Sequence, residues 1–336
     1  MVRHGVTVGA ADVIGRCKRT AWKLRAVTAI LAMTGGLVSA PASAETLTIE
    51  GLYPARVRPA ADVGSLVVER FGGREGRELS FALEGMLAEL AIYGQPYFRV
   101  VAERSTAPAD AIISGIANAA VQNQPVEENR KVCVERDGND KCLREENQKI
   151  RCQRRTVTLS PSLRMARVDD GAIVYQRQMQ ERDQIVWCPD RAAARSVEDT
   201  VSALIGNAIA EVRLDIAPVY RVDAIRVLEV RKGLDKDQSN RFRNALKATA
   251  RDPQGACDIW QALDSEVPGQ SSIVFNLALC AEQRGDLEGA RTRYGQAQTL
   301  LPRERAINAA LDRIGARQVA EADYAAREDR LSGNRP

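Results

Sequence analysis

Histidine is almost absent from this chain of 336 residues, and its scarcity excludes several kinds of site. The single histidine, His4, lies in an amino-terminal segment that we predict is removed. A chain without histidine has no Ser-His-Asp or Cys-His catalytic centre and no histidine-ligated metal site. No two cysteines have the C-x-x-C spacing of zinc sites. We therefore predict neither a metal nor another cofactor.

The chain also lacks an excess of positive charge outside its first residues. Residues 1–44 hold six of the 48 Lys and Arg residues and one of the 44 Asp and Glu residues. The remainder has 42 cations against 43 anions, so its net charge is about −1 rather than +4. Aromatic residues make up 4% of the chain and do not alternate with cations, as base stacking would require. We predict no nucleic-acid partner.

The amino-terminal segment has the pattern of an export signal. A basic stretch from Arg16 to Arg25 precedes an apolar run of about 13 residues, 26–38, and small residues end at Ala44. The run is shorter than the roughly 20 residues that span a bilayer. We predict cleavage after Ala44 and a periplasmic mature chain without a transmembrane segment or a lipidated cysteine. An uncleaved anchor or a buried helix is the alternative.

Six cysteines remain after residue 44, and an even number in an exported chain indicates disulfides. Pairing neighbours places each midpoint on a separate turn signal. The predicted pairs are Cys133–Cys142, Cys152–Cys188 and Cys257–Cys280. The turn signals are Asp137-Gly138, Asp169-Asp170-Gly171 and Pro268-Gly269. Because antiparallel partners have a constant index sum, the first two pairs should face each other across hairpins. Free buried thiols are the alternative.

Residues 45–232 have the mixed pattern of an α/β sheet domain with two main helices and disulfide-linked hairpins. Strand-like runs at 65–71, 97–101 and 111–116 surround a helix near 79–90, and a glycine-rich turn at 72–76 precedes that helix. A second helix is predicted from Ser196, followed by a last strand of the same sheet at 222–230. Residues 127–155 hold nine cations and seven anions, so we predict a projecting hairpin there, followed by a long hairpin of residues 154–168 and 172–187.

Residues 237–330 are predicted to form an all-helical segment with an internal repeat. Ala256, Trp260 and Pro268 recur 34 residues later as Ala290, Tyr294 and Pro302. This spacing resembles the tetratricopeptide repeat, in which small residues let two helices approach closely. The resemblance implies a concave partner-binding face on the first helix of the second unit. That face would hold Ser272, Phe275, Leu279, Glu282 and Gln283. Packing of the apolar pair, Phe275 and Leu279, against a neighbouring helix is an equal alternative.

The first domain also resembles a known group of bacterial envelope domains. The segment Ala109-Asp110-Ala111-Ile112-Ile113-Ser114-Gly115 matches an A-D-x-x-x-x-G strand that follows a strand and a helix. This arrangement is similar to curli-transport lipoproteins, lipoprotein activators of penicillin-binding proteins and the amino-terminal domain of the Tol-system periplasmic propeller protein. The resemblance implies a non-enzymatic adaptor or assembly role. No pore-forming or enzyme-activating property is carried over, because the lipidation cysteine is missing and the charged hairpins are extra.

A cluster of cations in the charged segment gives a second candidate site. Arg151, Arg154 and Arg155 could bind an anionic polymer or lipid head group, although a solvated face is the simpler interpretation. The sequence thus favours a non-catalytic exported adaptor with a protein partner in the envelope. An anionic-ligand binder, or a histidine-free enzyme or enzyme regulator, is the alternative. The oligomeric state is not predicted.

Overall fold

The computed structural model describes residues 45–333, so the predicted signal lies outside the described residues. Within this range the chain forms a mixed α/β fold followed by a helical segment. In chain order the elements are β1 (Thr46–Tyr53), α1 (Arg58–Ala61), β2 (Ser65–Val68), α2 (Gly76–Glu89), β3 (Ala91–Ile92), β4 (Gln95–Pro96), β5 (Arg99–Val101), β6 (Ala111–Arg136), β7 (Cys142–Arg167), β8 (Ile173–Gln178), β9 (Glu181–Trp187), α3 (Val197–Ile216), β10 (Val219–Arg226), α4 (Lys236–Ala248), α5 (Pro253–Glu266), α6 (Ser271–Gln283), α7 (Leu287–Leu300) and α8 (Arg305–Leu331).

The main sheet has the strand order β5-β2-β6-β7-β8, and β9 also pairs with β7. Strand β2 runs parallel to β5 and β6, whereas the other pairs are antiparallel. Helices α2 and α3 pack on one face because each carries an apolar stripe at three- and four-residue spacing. Helix α3 begins at the capping box that the sequence predicts, in which the Ser196 hydroxyl accepts a hydrogen bond from the Asp199 amide.

Strands β6 and β7 form one hairpin of 26 residues on each side. The sequence predicts this region as separate pieces: a short strand at 111–116, a charged hairpin, and a strand from Arg154. The structure joins all of them in a continuous antiparallel ladder, roughly 85 Å long at 3.3 Å per residue. The difference arises because the middle of β6 is uncharged but polar, so it has no apolar alternation to mark it as a strand.

Strands β1 and β10 form a separate two-stranded ribbon, so the prediction of a last strand in the main sheet is wrong. This ribbon contributes buried side chains to both hydrophobic cores. Leu52 is buried in the core under the main sheet, whereas Leu47 and Ile49 are buried in the core of the helical segment. Helix α8 crosses β1 and places Ala320 in the first core. The predicted boundary at 232–237 falls in the connection between β10 and α4.

Helices α4 to α7 form a segment in which α4 packs on α5 and α6 packs on α7. The small residues predicted to allow close approach, Ala278 and Ala290, are completely buried, and so is Ala256 of the preceding unit. Two aromatic pairs lie beside them, Phe242 with Trp260 and Phe275 with Tyr294. The helical character of this segment is therefore confirmed. Its assignment as a tetratricopeptide repeat stays a prediction.

Candidate functional site

The far end of the β6–β7 hairpin projects from the body of the protein. Within residues 45–333, β6 pairs with β2 only as far as Ile113 and with β9 nowhere, and β7 pairs with β9 only from Gln153 onward. We call residues 126–152 the arm, because there the two strands pair only with each other. The arm's side chains are exposed or half-buried, except for Cys152 at its base. The arm therefore contributes almost nothing to either core.

Two of the three disulfides among residues 45–333 fix the arm, and all three are the predicted pairs. At the base, Cys152 and Cys188 directly extend the β7–β9 register, in which Gln153 faces Trp187. At the tip, the prediction that Cys133 faces Cys142 is wrong, because Cys133 lies opposite Glu145. Register shifts between Cys133 and Arg136 bring the two cysteine Cα atoms to 5.7 Å. These shifts come from a bulge, which index sums do not anticipate.

The disulfide at the base should stabilise the protein more than the one at the tip. Replacing Cys152 and Cys188 by serine should lower the free energy of unfolding by about 3–4 kcal/mol, since it releases a loop that spans 36 residues. Denaturation with guanidinium chloride would measure this loss. The matched control is the double serine variant at Cys133 and Cys142, whose separation of nine residues and exposed site predict a smaller loss. Equal losses would contradict the assignment of the base as the structural anchor.

The predicted cluster of Arg151, Arg154 and Arg155 is divided by the sheet. Alternate residues of a strand point to opposite faces, so Arg154 lies on one face and the other two lie on the opposite face. Arg155 is also occupied, because it stacks 4.9 Å from the centre of the Trp187 ring and donates to the Arg195 carbonyl oxygen. The structure therefore does not gather these cations into one anion-binding surface.

The glycine-rich turn at 72–76 terminates the pairing of β6 with the rest of the sheet. The Gly72 amide donates to the Gly115 carbonyl oxygen. The Glu75 carboxylate accepts a 2.7 Å hydrogen bond from the Ala119 amide, and the Arg74 guanidinium donates to the Ala119 carbonyl oxygen. Two side chains thus occupy the backbone groups where the next strand pairing would occur. Beyond Ala119 the outer edge of β6 is open within the described residues.

The motif that carries the envelope resemblance has structural roles. One carboxylate oxygen of Asp110 accepts hydrogen bonds from the amides of Gly64 and Ser65 and from the Ser65 hydroxyl, so it fixes the start of β2. At Gly115 an added Cβ would lie 2.8 Å from the Ser162 carbonyl oxygen and 3.1 Å from the Phe71 ring. The motif's aspartate and glycine therefore position strands.

The predicted partner-binding face on α6 is buried inside the protein. Ser272, Phe275, Leu279 and Glu282 are completely buried, and the half-exposed Gln283 donates to the Thr48 carbonyl oxygen of β1. Helix α6 packs against β1, α5 and α7. The prediction of an open groove along these residues is wrong, because the chain covers it with its own β1–β10 ribbon and α8. The alternative interpretation, packing against neighbouring elements, is the one that the structure shows.

Glu282, which the sequence places on the predicted partner-binding face, is instead the centre of a buried charged cluster. Its two carboxylate oxygens each accept a 2.7 Å hydrogen bond from Arg313 of α8. Arg317 donates to the same carboxylate at 3.2 Å, and the Tyr294 hydroxyl of α7 donates at 2.9 Å. Burial and the adjacent carboxylate raise the pKa of Tyr294 well above its usual value. The cluster therefore joins α6, α7 and α8 and holds the Tyr294 hydroxyl neutral.

A second buried cation, Arg327, connects the end of α8 to the main core and was not found from the sequence. Its side chain is 2% exposed, lies 4.0 Å from the centre of the Tyr97 ring, and donates to the carbonyl oxygens of Val63 and Tyr97. Burial raises the pKa of Tyr97 to about 12. An arginine in a long, mostly polar helix gives no sequence signal that it will be buried.

In the part of the chain that the structure describes, no group of three or more His, Cys, Asp or Glu side chains is arranged to hold a metal ion. No helix among residues 45–333 has both the length and the apolar composition needed to cross a membrane.

Comparison with known proteins gives only distant similarities. No family model and no curated protein matches the chain. Among solved structures, a candidate lipoprotein from Caulobacter crescentus CB15 is 15% identical, with 48% of this chain and 92% of that chain covered and a TM-score of 0.26. A candidate homologue of the neuraminyllactose-binding hemagglutinin from Helicobacter pylori is 12% identical, with coverages of 49% and 86% and a TM-score of 0.26. A dodecamer of a PelC variant from Paraburkholderia phytofirmans is 13% identical, with coverages of 49% and 95% and a TM-score of 0.21. The similarity is weak, and it assigns neither a family nor an activity.

Proposed function

We propose that this protein is a non-catalytic adaptor of the bacterial cell envelope, exported to the periplasm and cleaved after Ala44. Three disulfides support an extracytoplasmic site of action, because disulfides persist in oxidising compartments and are rare in the cytosol. The near-neutral charge of residues 45–336 supports binding to proteins rather than to nucleic acid. Their lack of histidine supports a non-catalytic role.

The observation that carries the proposal is the arm. Ordering a residue in a strand costs roughly 1–2 kcal/mol of backbone entropy, which burial of apolar surface normally offsets. The arm buries little, yet disulfides fix its base and its tip. A rigid, charged, two-stranded projection of this kind is best explained by contact with another molecule. The partner-binding surface in this proposal is therefore the arm of the α/β domain and not the face of α6.

A shortened variant tests this proposal with little disturbance to the fold. Val126 and Cys152 face each other directly, so residues 127–151 can be replaced by a two-residue Asn-Gly turn. Mild crosslinking and capture from periplasm should recover a distinct protein with the mature chain and lose it with the shortened chain. The unfolding midpoint of the two chains should be similar, because the removed residues leave both cores unchanged.

The control for capture is Phe81→Ser, which changes a 61% exposed side chain on α2 and keeps the arm. Capture should be the same as for the parent chain. Equal capture by the shortened chain would show that the arm is not the binding surface. Absence of any captured protein with the parent chain would contradict the adaptor role itself.

A further inference from the structure

The open edge of β6 has a defined hydrogen-bonding pattern. The amide and carbonyl groups of Ala119 point away from β7, toward Glu75 and Arg74. Because this direction alternates along a strand, the odd-numbered residues that follow also direct their backbone groups outward. Pro125 fits this pattern, since its missing amide falls at an outward position and interrupts the edge there. Residues 126–132 then form an open edge that ends at the bulge after Cys133.

The sequence of this open edge, Val-Glu-Glu-Asn-Arg-Lys-Val at 126–132, reverses its charge about its centre. Asn129 is central, with glutamates at the two preceding positions, lysine and arginine at the two following positions, and a valine at each end. A second identical edge can approach antiparallel to the first, with a two-fold axis at Asn129. Each residue then faces the residue of the other copy that lies equally far from Asn129 on the opposite side. Every carboxylate then faces a cation of the other copy.

This register satisfies the backbone as well as the charges. Glu127 faces Lys131 of the other copy, and Glu128 faces Arg130. The outward residues of one strand meet outward residues of the other, so Asn129 exchanges two backbone hydrogen bonds with its symmetry mate. Pro125 would face Cys133, so the missing donor of one copy coincides with the start of the bulge in the other. The pairing is thus confined to residues 126–132.

We propose that the edge of β6 at residues 126–132 binds a second copy of this chain, which joins the two arms into one four-stranded antiparallel sheet. The directly opposed charges select this arrangement, whereas parallel pairing in register would set like charges side by side. The intrachain ion pairs of the edge are exposed: Glu127 with Lys149 at 3.5 Å, Lys131 with Glu145 at 4.0 Å, and Arg130 with Asp190 at 3.1 Å. The inference concerns this edge alone and does not depend on what binds the faces of the arm.

Proline substitutions on the two edges of the arm test the proposal. Asn129→Pro removes only an outward amide, so the hairpin keeps its own hydrogen bonds while the symmetry-related pair is lost. Analytical ultracentrifugation of the mature chain should show a monomer–dimer equilibrium that weakens at least about tenfold in this variant. The matched control is Asn147→Pro, an outward position in the similar sequence Glu-Glu-Asn-Gln-Lys on β7, and it should leave the equilibrium unchanged. Equal weakening by both would overturn the two-fold arrangement in favour of β6–β7 contacts between copies.

A charge exchange provides an independent test through rescue. Glu128 and Arg130 face the uncharged Ile150 and Gln148 within the arm, so the exchange creates no like-charge pair with β7. Within its own chain the exchange removes one exposed ion pair, that of Arg130 with Asp190 after β9. Glu128→Arg should weaken the dimer by about tenfold, and adding Arg130→Glu should restore it, because the reversed pattern is again self-complementary. The restored dimer should still dissociate more readily at high salt. A wild-type chain that is monomeric at every concentration, or a double variant that is not restored, would overturn the proposal.

Discussion

Replacing Glu282 by alanine should lower the free energy of unfolding by about 3–5 kcal/mol, the range for removing one partner of a buried ion pair. The carboxylate is completely buried, and Arg313 and Arg317 are 11% and 6% exposed. Without Glu282 two guanidinium groups stay buried with no opposite charge beside them. Arg317 cannot move easily, because its side chain lies against Gly51 of β1, where an added Cβ would be 2.2 Å from its Nε atom. Chemical denaturation monitored by circular dichroism would measure the loss.

Two further variants separate charge from cavity. Glu282→Gln keeps nearly all of the side-chain volume, so a loss close to that of the alanine variant would assign the effect to charge. Glu266→Ala is the surface control, since Glu266 pairs with Arg241 at 2.7 Å and these side chains are 41% and 34% exposed. That pair should contribute at most about 1 kcal/mol. A Glu282 variant as mild as the Glu266 variant would contradict the buried-cluster interpretation.

The disulfides were predictable because their pairing is local. Each pair is centred on a turn that the sequence marks with glycine, aspartate or proline, so two strands or two helices bring the cysteines together without distant information. The pairing of β1 with β10 has no such signal. Thr46 pairs with Arg226 although nearly the whole α/β domain lies between them in the sequence. No turn residue marks a contact between segments so far apart in the chain.

The burial of α6 could have been found in the sequence. Ile273, Val274, Phe275, Leu277 and Leu279 surround the helix on every side, and a helix that is apolar all round is buried rather than half-open. The resemblance to a repeat with a concave groove implies that one face of α6 is open, whereas this apolar pattern predicts burial on all sides. What covers the helix could not be predicted, since β1 and α8 come from opposite ends of the described chain.

The division of the arginine cluster was also available in the sequence. Once residues 151–155 are assigned to a strand, the even-numbered Arg154 must lie opposite the odd-numbered Arg151 and Arg155. The stacking of Arg155 on Trp187 was not predictable, because it depends on the register between β7 and β9. In a strand, like charges that are close in sequence therefore share one surface only when they occupy every second position.

Replacing Arg327 by alanine should lower the free energy of unfolding by about 3 kcal/mol and release the last turns of α8. The variant loses two charge-assisted hydrogen bonds to the carbonyl oxygens of Val63 and Tyr97, leaves those oxygens buried without donors, and removes the stacking on the Tyr97 ring. The matched control is Arg330→Ala on the same helix, where the ion pair with Asp62 joins side chains that are 49% and 59% exposed. That control should cost less than about 1 kcal/mol. Amide hydrogen exchange should become faster near residues 320–331 in the Arg327 variant and stay slow near Arg313, because the Glu282 cluster still holds that part of α8. Uniform loss of protection along α8, or equal effects of the two variants, would show that the helix has one attachment to the body of the protein and not two.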